Sequence, residues 1–330
     1  MRTRQIGEFS VSSIGFGCMN LSFGYGNVPD SVYGAKLLHE ALDAGYTMLD
    51  TAALYGNGAN ETLIGEALKS RRNDYMLASK CGISKNEEGV RTINGKPSEI
   101  RKVCEESLKL LQTDVIDLYY LHRLDFTIPI EESVGALSDL VSEGKIRTIG
   151  LSEMSAETIR RAHAVHPVSA VQSEYSLWTR NPEIAVLDAC KDIGAAFVAF
   201  SPLARAFLTG TLQDPQGLPT GDLRHGMPRF ETDNYQKNLD LLEEYANLAE
   251  ESNCSMAQLA LAWLLAKHDY IIPIPGTKNI EHMRENAKSD GISLSEDVVK
   301  CLDQLINQQT VHGSRYDAAA QSKIDTEEFA

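Results

Sequence analysis

The 330-residue chain lacks any run of about 18 consecutive apolar residues, so no membrane span is expected. The first ten residues, "MRTRQIGEFS", contain no apolar stretch of the kind a secretory signal needs. Its six cysteines (Cys18, Cys81, Cys104, Cys190, Cys254 and Cys301) form no CxxC pair and no Cys/His cluster at zinc spacing. That excludes an obvious metal site and suggests a reducing compartment. Basic charge is scarce: 31 Lys and Arg face 46 Asp and Glu, for a formal net charge of −15. A nucleic-acid partner would want the opposite balance. A Gly-rich dinucleotide turn is also missing, because "GFGCMN" has Asn20 where the last glycine of GxGxxG would stand. These absences describe a soluble cytoplasmic protein with no metal, membrane or nucleic-acid partner. Its 43% hydrophobic content is ample for a large core.

What is present is a rhythm. Two short alternating segments around Gly7-Glu8 predict an N-terminal β-hairpin. Eight strand-like runs follow: "SIGFG", "YTMLD", "YMLASK", "VIDLYYLH", "IRTIGLS", "SAVQSEY", "AAFVAFS" and "YIIPIP". Helical patterns separate them, with Asp30 as N-cap of the first, Ser98 opening the third and the fourth starting near Pro129. A polar segment covers Leu203 to Phe230, and helices are expected near Tyr235–Glu251 and Ser255–Lys267. One helix beyond the last barrel helix, "SEDVVKCLDQLIN", precedes a polar tail. The reading is an α/β fold: one parallel (β/α)8 TIM barrel over residues 1–330, with an N-terminal hairpin and an extra C-terminal helix.

Chemistry in such a barrel gathers at the C-terminal ends of the strands. The second strand ends in Asp50 and its loop carries Tyr55; the third ends in Lys80; the fourth ends in His122. Singly, each has an ordinary structural explanation. Together they form a coherent acid/base set for a carbonyl. A free phenol has a pKa near 10, and moving it to about 7 needs roughly 4 kcal/mol of anion stabilisation. An ammonium about 4 Å away offers roughly 4 kcal/mol at an effective dielectric of 20. Asp50 would orient Lys80, and His122 would bond the reacting oxygen or the phenol.

"LDTAALYGNG", "LASKCG" and "YYLHR" resemble the tetrad motifs of the aldo-keto reductases. "GLSEMS", "VQSEYSL", "AFSPLARAFLTG" and "IPIPGTKNIEHMRENA" follow in that family's order, so the likeness runs from the hairpin to about residue 287. It implies NADPH-dependent reduction of an aldehyde or ketone, with Tyr55 as proton donor, Asp50 and Lys80 tuning it and His122 orienting the carbonyl. It also implies a cofactor site. Ser152 and Gln172 would hold the nicotinamide carboxamide, and Phe200 would stack on the ring. Gly17, Met19, Ser201, Leu203 and Arg205 would lie along the cofactor, the last three near the pyrophosphate. Thr277 and Lys278 would bind a 2′-phosphate at a helix start, where free N–H groups suit an anion. Gly276, His282, Glu285 and Asn286 would complete the adenosine end. Three departures from the family pattern stand out: Glu153 where Asn is usual after Ser152, Gly276 where some members have Lys, and His282 in place of Arg. Ala206 also replaces a usual Gly.

The substrate is expected to be a small carbonyl compound in an aromatic-lined, mostly apolar opening. Its walls would come from Phe23, Tyr25, Leu54, Trp178 and the tail around "GSRYD". The alternatives are a non-catalytic cofactor-binding subunit resembling the potassium-channel β subunits, and a dehydrogenase working oxidatively on a sugar or alcohol. The chain has no extended N-terminal segment for a channel partner. Cys18 and Cys81 adjoin strand ends; if Cys81 is exposed beside Lys80, its thiolate would be favoured and oxidant-sensitive. Oligomeric state is not legible.

Overall fold

A computed structural model describes residues 1–85 and 90–329. A hairpin, β1 (Thr3–Ile6) and β2 (Phe9–Ser12), leads into the barrel strands. These are β3 (Phe16–Gly17), β4 (Met48–Asp50), β5 (Met76–Cys81), β8 (Ile116–Leu121), β9 (Ile146–Ser152), β10 (Val168–Glu174), β11 (Ala196–Phe200) and β12 (Ile271–Pro273). They pair in parallel in that order. Backbone N–H groups of Gly15 and Gly17 donate to the carbonyls of Pro273 (3.0 Å) and Pro275 (3.2 Å), joining the first strand to the last. A Cβ on Gly17 would sit 2.8 Å from the Ile274 carbonyl oxygen, so only glycine allows this approach.

The predicted eight strands therefore form a curled parallel sheet, with the hairpin at one end. Helices α1 (Ser31–Asp43), α2 (Ala59–Leu68), α3 (Pro97–Leu110), α4 (Ile130–Ser142), α5 (Ala156–Val165) and α6 (Val186–Ile193) follow successive strands. Burial on both faces explains the apolar strand sequences: "MLASKC" and "IDLYYL" are buried throughout. The larger core lies between strands and helices, and a smaller one fills the barrel. Met48, Ala78, Tyr120, Ala170, Val198 and Ile272 belong to the inner core, and Ile6 and Val11 of the hairpin plug its floor. Gly150 leaves room for Tyr120, since a Cβ there would lie 2.3 Å from the ring.

Asp30 caps α1 by accepting from the Tyr33 N–H. Ser98 does not open α3; Pro97 takes the first turn, where its missing N–H costs nothing, and Lys96 precedes it. The helix expected at Tyr235–Glu251 is two: α7 (Thr232–Leu239) and α8 (Leu241–Glu251), followed by α9 (Met256–Lys267). Helix α10 (Ile280–Lys288) and the extra α11 (Glu296–Leu305) fall where the periodicity put them. Two features were not anticipated. A small hairpin, β6 (Ile83–Lys85) and β7 (Arg91–Ile93), rises from the loop after β5, and the polar tail carries a short helix, α12 (Ala318–Gln321). No helix among the described residues is long and apolar enough to cross a membrane.

Candidate active site

Alternate residues of a strand share a face, so the inner core fixes what emerges above it. Two residues beyond Met48, Ala78, Tyr120, Gly150, Ala170 and Val198 stand Asp50, Lys80, His122, Ser152, Gln172 and Phe200. All but the deeply buried Lys80 line one cavity of about 1260 Å³ at the C-terminal mouth of the barrel. The loop after β4 returns Tyr55 to the same cavity.

Lys80 donates to Asp50 Oδ1 and to the Thr51 carbonyl (2.8 Å), while Gln172 Nε2 donates to Asp50 Oδ2 (2.7 Å). The Lys80 ammonium lies 5.2 Å from the centre of the Tyr55 ring, and the His122 ring meets Tyr55 edge-on at 6.0 Å. Burial dominates the electrostatics. It pushes the Tyr55 phenol above its ordinary value, although Lys80 pulls it down. The expectation of a phenol near 7 is therefore corrected for this state: the proton stays on. Burial works against the Lys80 charge, but Asp50 outweighs it and keeps the ammonium protonated. His122 is held well below its usual range by burial and by the Arg123, Lys80 and Arg91 cations, so it is neutral. Its Nδ1 has no hydrogen-bond partner. A proton on Nε2 leaves only a lone pair orphaned there.

The site suits a nicotinamide. Gln172 turns its NH2 end to Asp50, which leaves Oε1 on the other side to accept. Ser152 accepts from Arg123 (3.2 Å) and keeps its own O–H to give. One acceptor and one donor are what a carboxamide needs. Gly17, Met19, Phe200, Ser201, Leu203, Arg205, Gly276, Thr277, Lys278, His282, Glu285 and Asn286 continue along the same cavity.

Several placements differ from the sequence reading. Glu153 falls in the opposite strand phase at φ 56°, is fully buried and receives two hydrogen bonds from Arg315 (2.5 and 2.8 Å); it does not line the cavity. Arg205 is committed to buried Glu174 (2.7 Å) and also donates to the Tyr25 hydroxyl (3.0 Å). The Lys278 ammonium donates to the Tyr25 and Asn27 carbonyls (2.6 and 2.7 Å). The start of α10 is not bare, because the Asn279 side chain accepts from the N–H groups of Glu281 and His282. Ala206 stands at φ 78°, in a left-handed stretch with Ala204 and Arg205 that favours glycine.

Phe23, Tyr25 and Leu54 line the cavity, as do Tyr316 and Asp317 of the tail. Trp178 does not. It is buried, stacked on Phe207 at 4.2 Å and held edge-on by Phe230, so its loop turns it into the outer core rather than over the substrate. Cys81 and Cys18 are buried with thiols pushed up by desolvation, so the exposure on which a Cys81 thiolate depended is not met and both act as small apolar filler. Sequence reasoning missed Glu174, though it ends the sixth strand in the inward phase. It also missed Arg123 beside His122, and Arg91 on the small hairpin.

A family model described as the aldo/keto reductase family matches residues 13–307. The chain belongs to that family. It is 46% identical to an NADP(+) aldo-keto reductase, yakc, of Schizosaccharomyces pombe, over 98% of this chain and 96% of that one. Among solved structures it resembles a glycerol dehydrogenase of Gluconobacter oxydans, at a TM-score of 0.86, 29% identity and 99% coverage of both chains. An aldo-keto reductase of Klebsiella pneumoniae in complex with NADPH matches at a TM-score of 0.74 and 27% identity, covering 95% of this chain and 98% of the other. The chain is thus an oxidoreductase of aldo-keto reductase type, with its barrel and hairpin in the family's arrangement.

Proposed function

We propose that this protein reduces an aldehyde or ketone to the alcohol with NADPH, with Tyr55 as general acid. The observation that carries the reading is a protonated phenol beside a charged Lys80–Asp50 pair and a neutral His122, in the cavity that also holds Ser152 and Gln172. NADPH, when bound, supplies the hydride. Ser152 and Gln172 hold the carboxamide, and Phe200 covers the ring. His122 donates from Nε2 to the carbonyl oxygen and fixes its direction. Tyr55 then gives its proton to that oxygen as negative charge develops there. The phenolate left behind faces the Lys80 ammonium, an attraction of about 3 kcal/mol at roughly 5 Å and an effective dielectric of 20. Solvent returns the proton through the open mouth. Preference for the 2′-phosphate form is supported by Lys278 and Thr277 at the far end, and by the NADP(+) in the name of the yeast relative.

Tyr55→Phe keeps the ring and removes the transferable proton. Carbonyl reduction should fall by at least ~10²-fold, the low end for a lost general acid. NADPH affinity, read by fluorescence titration, should be nearly unchanged. Near-normal turnover would remove Tyr55 from the chemistry. Wild type that binds NADPH but reduces nothing in a broad carbonyl panel would favour a binding subunit instead.

A further inference from the structure

Most charges on the cavity wall are already answered. Asp50 has Lys80 and Gln172; Asp222 is closed by a two-point bond from Arg224; Arg205 has Glu174; Lys278 has two carbonyls. Asp317 turns its carboxylate to the Ala320 N–H as the cap of α12. Arg91 and Arg123 are different. Both line the cavity, and neither makes an ion pair among the described residues. Arg123 spends one nitrogen on the His122 carbonyl (2.6 Å) and the Ser152 hydroxyl (3.2 Å), which leaves the rest of its fork open. Arg91 reaches in from the small hairpin and lies 4.6 Å over the Phe23 ring. Arg123 follows His122 and bonds its carbonyl, and Arg91 lines the same cavity as the His122 ring. Glu153 feels Arg123, but its oxygens are closed by Arg315. Lys323 of the tail adds a third cation to the wall.

Two open arginine forks at the substrate end do not suit a purely apolar carbonyl. Half-buried Arg123 would have to be covered without a partner, and exposed Arg91 would be left at the rim with nothing to bind. They suit a planar anion, since a guanidinium matches a carboxylate through two parallel hydrogen bonds. A chain of net charge −15 repels anions at long range, so a local cationic funnel is what would bring one to this mouth. We propose that the preferred substrate is an aldehyde or ketone that also bears a carboxylate, held by Arg91 and Arg123 beside His122. This rests on the reductase reading above, and names the substrate class for the same site.

The test compares benzaldehyde with 4-carboxybenzaldehyde, with NADPH in wild type, Arg91→Gln and Arg91→Lys. Wild type should favour the carboxylate in kcat/KM by about 10-fold, the scale of one charge-assisted hydrogen bond at a partly exposed site. Most of the advantage should be in KM, and it should shrink as salt is raised. Arg91→Gln should lose most of the carboxylate-over-benzaldehyde ratio, whatever its rate on benzaldehyde alone, and Arg91→Lys should recover part of that ratio. Equal or poorer use of the carboxylate by wild type would overturn the inference while leaving the reductase reading intact. An advantage unchanged in Arg91→Gln would overturn the assignment to Arg91. Failure to reduce either aldehyde would count against the reductase reading itself.

Discussion

Two buried charge clusters stand at the same end of the barrel, and they are built differently. In one, Asp50 and Lys80 occupy the inward phase of β4 and β5, with Gln172 as the only other side chain among the described residues bonded to the carboxylate. Asp50 still borders the cavity. In the other, Glu153 follows β9, Glu174 ends β10, and Arg315, Arg205, Thr326 and the tyrosine hydroxyl of Tyr316 close around them. The first cluster keeps a face toward a ligand. The second has nearly every oxygen taken, and it ties the tail and the Tyr25 loop to the strand ends. Ionisable residues at strand ends are therefore not equivalent: what separates chemistry from bracing is whether the group retains an unfilled hydrogen-bonding direction toward the cavity.

The largest expected effect comes from opening the braced cluster. Arg315→Met leaves Glu153 buried and unpaired, and should cost about 3–5 kcal/mol of stability in denaturant unfolding. Lys80→Met should cost less stability, because Asp50 borders the cavity and keeps its Gln172 bond, yet it should abolish most turnover. If the two variants lose stability alike, the distinction between the clusters fails.

Acid sharpens the same contrast. Burial pushes the Glu174 carboxyl up, but Arg205 and Arg315 outweigh it and hold it at about 2 against an ordinary 4.5. The unfolded chain binds that proton first, so stability from this group is fully present above pH 4.5 and is lost as pH falls toward about 2. Stability measured across that window should fall less steeply in Glu174→Gln than in wild type. Parallel slopes would show that Glu174 does not titrate as its partners require.

The smallest effect concerns Lys278, whose ammonium is satisfied by carbonyls rather than carboxylates and is partly exposed. Lys278→Ala should weaken NADPH relative to NADH by about 5-fold, near 1 kcal/mol, the scale of an exposed ion pair. Equal weakening of both cofactors would mean that Lys278 serves the Tyr25 loop and not the phosphate.

Much of this was legible in the chain because parallel strands are apolar on both faces and end abruptly. "YTMLD" and "YMLASK" announce where the barrel stops, and counting by two from Met48 and Ala78 reaches Asp50 and Lys80. The braced cluster was not legible, because Glu153 and Arg315 are 162 residues apart and share no local pattern. Trp178 was misplaced for a related reason: a loop's address at the active end does not say which way its side chain turns. The small hairpin carrying Arg91 has strands of three residues, too short for alternation to register.

The distance between Glu153 and Arg315 also sets an order in time. Glu153 and Glu174 leave the ribosome 162 and 141 residues before Arg315. At roughly 5–20 residues per second, that interval is about 10–30 s. Arg205 can reach Glu174 long before that, but Glu153 waits throughout for the guanidinium that closes it, and the closing strand β12 is itself among the later arrivals. A nascent chain can therefore assemble its first six barrel strands and still hold its mouth open. Arg315 delivers the guanidinium that lets Glu153 leave solvent and completes the shell around Glu174.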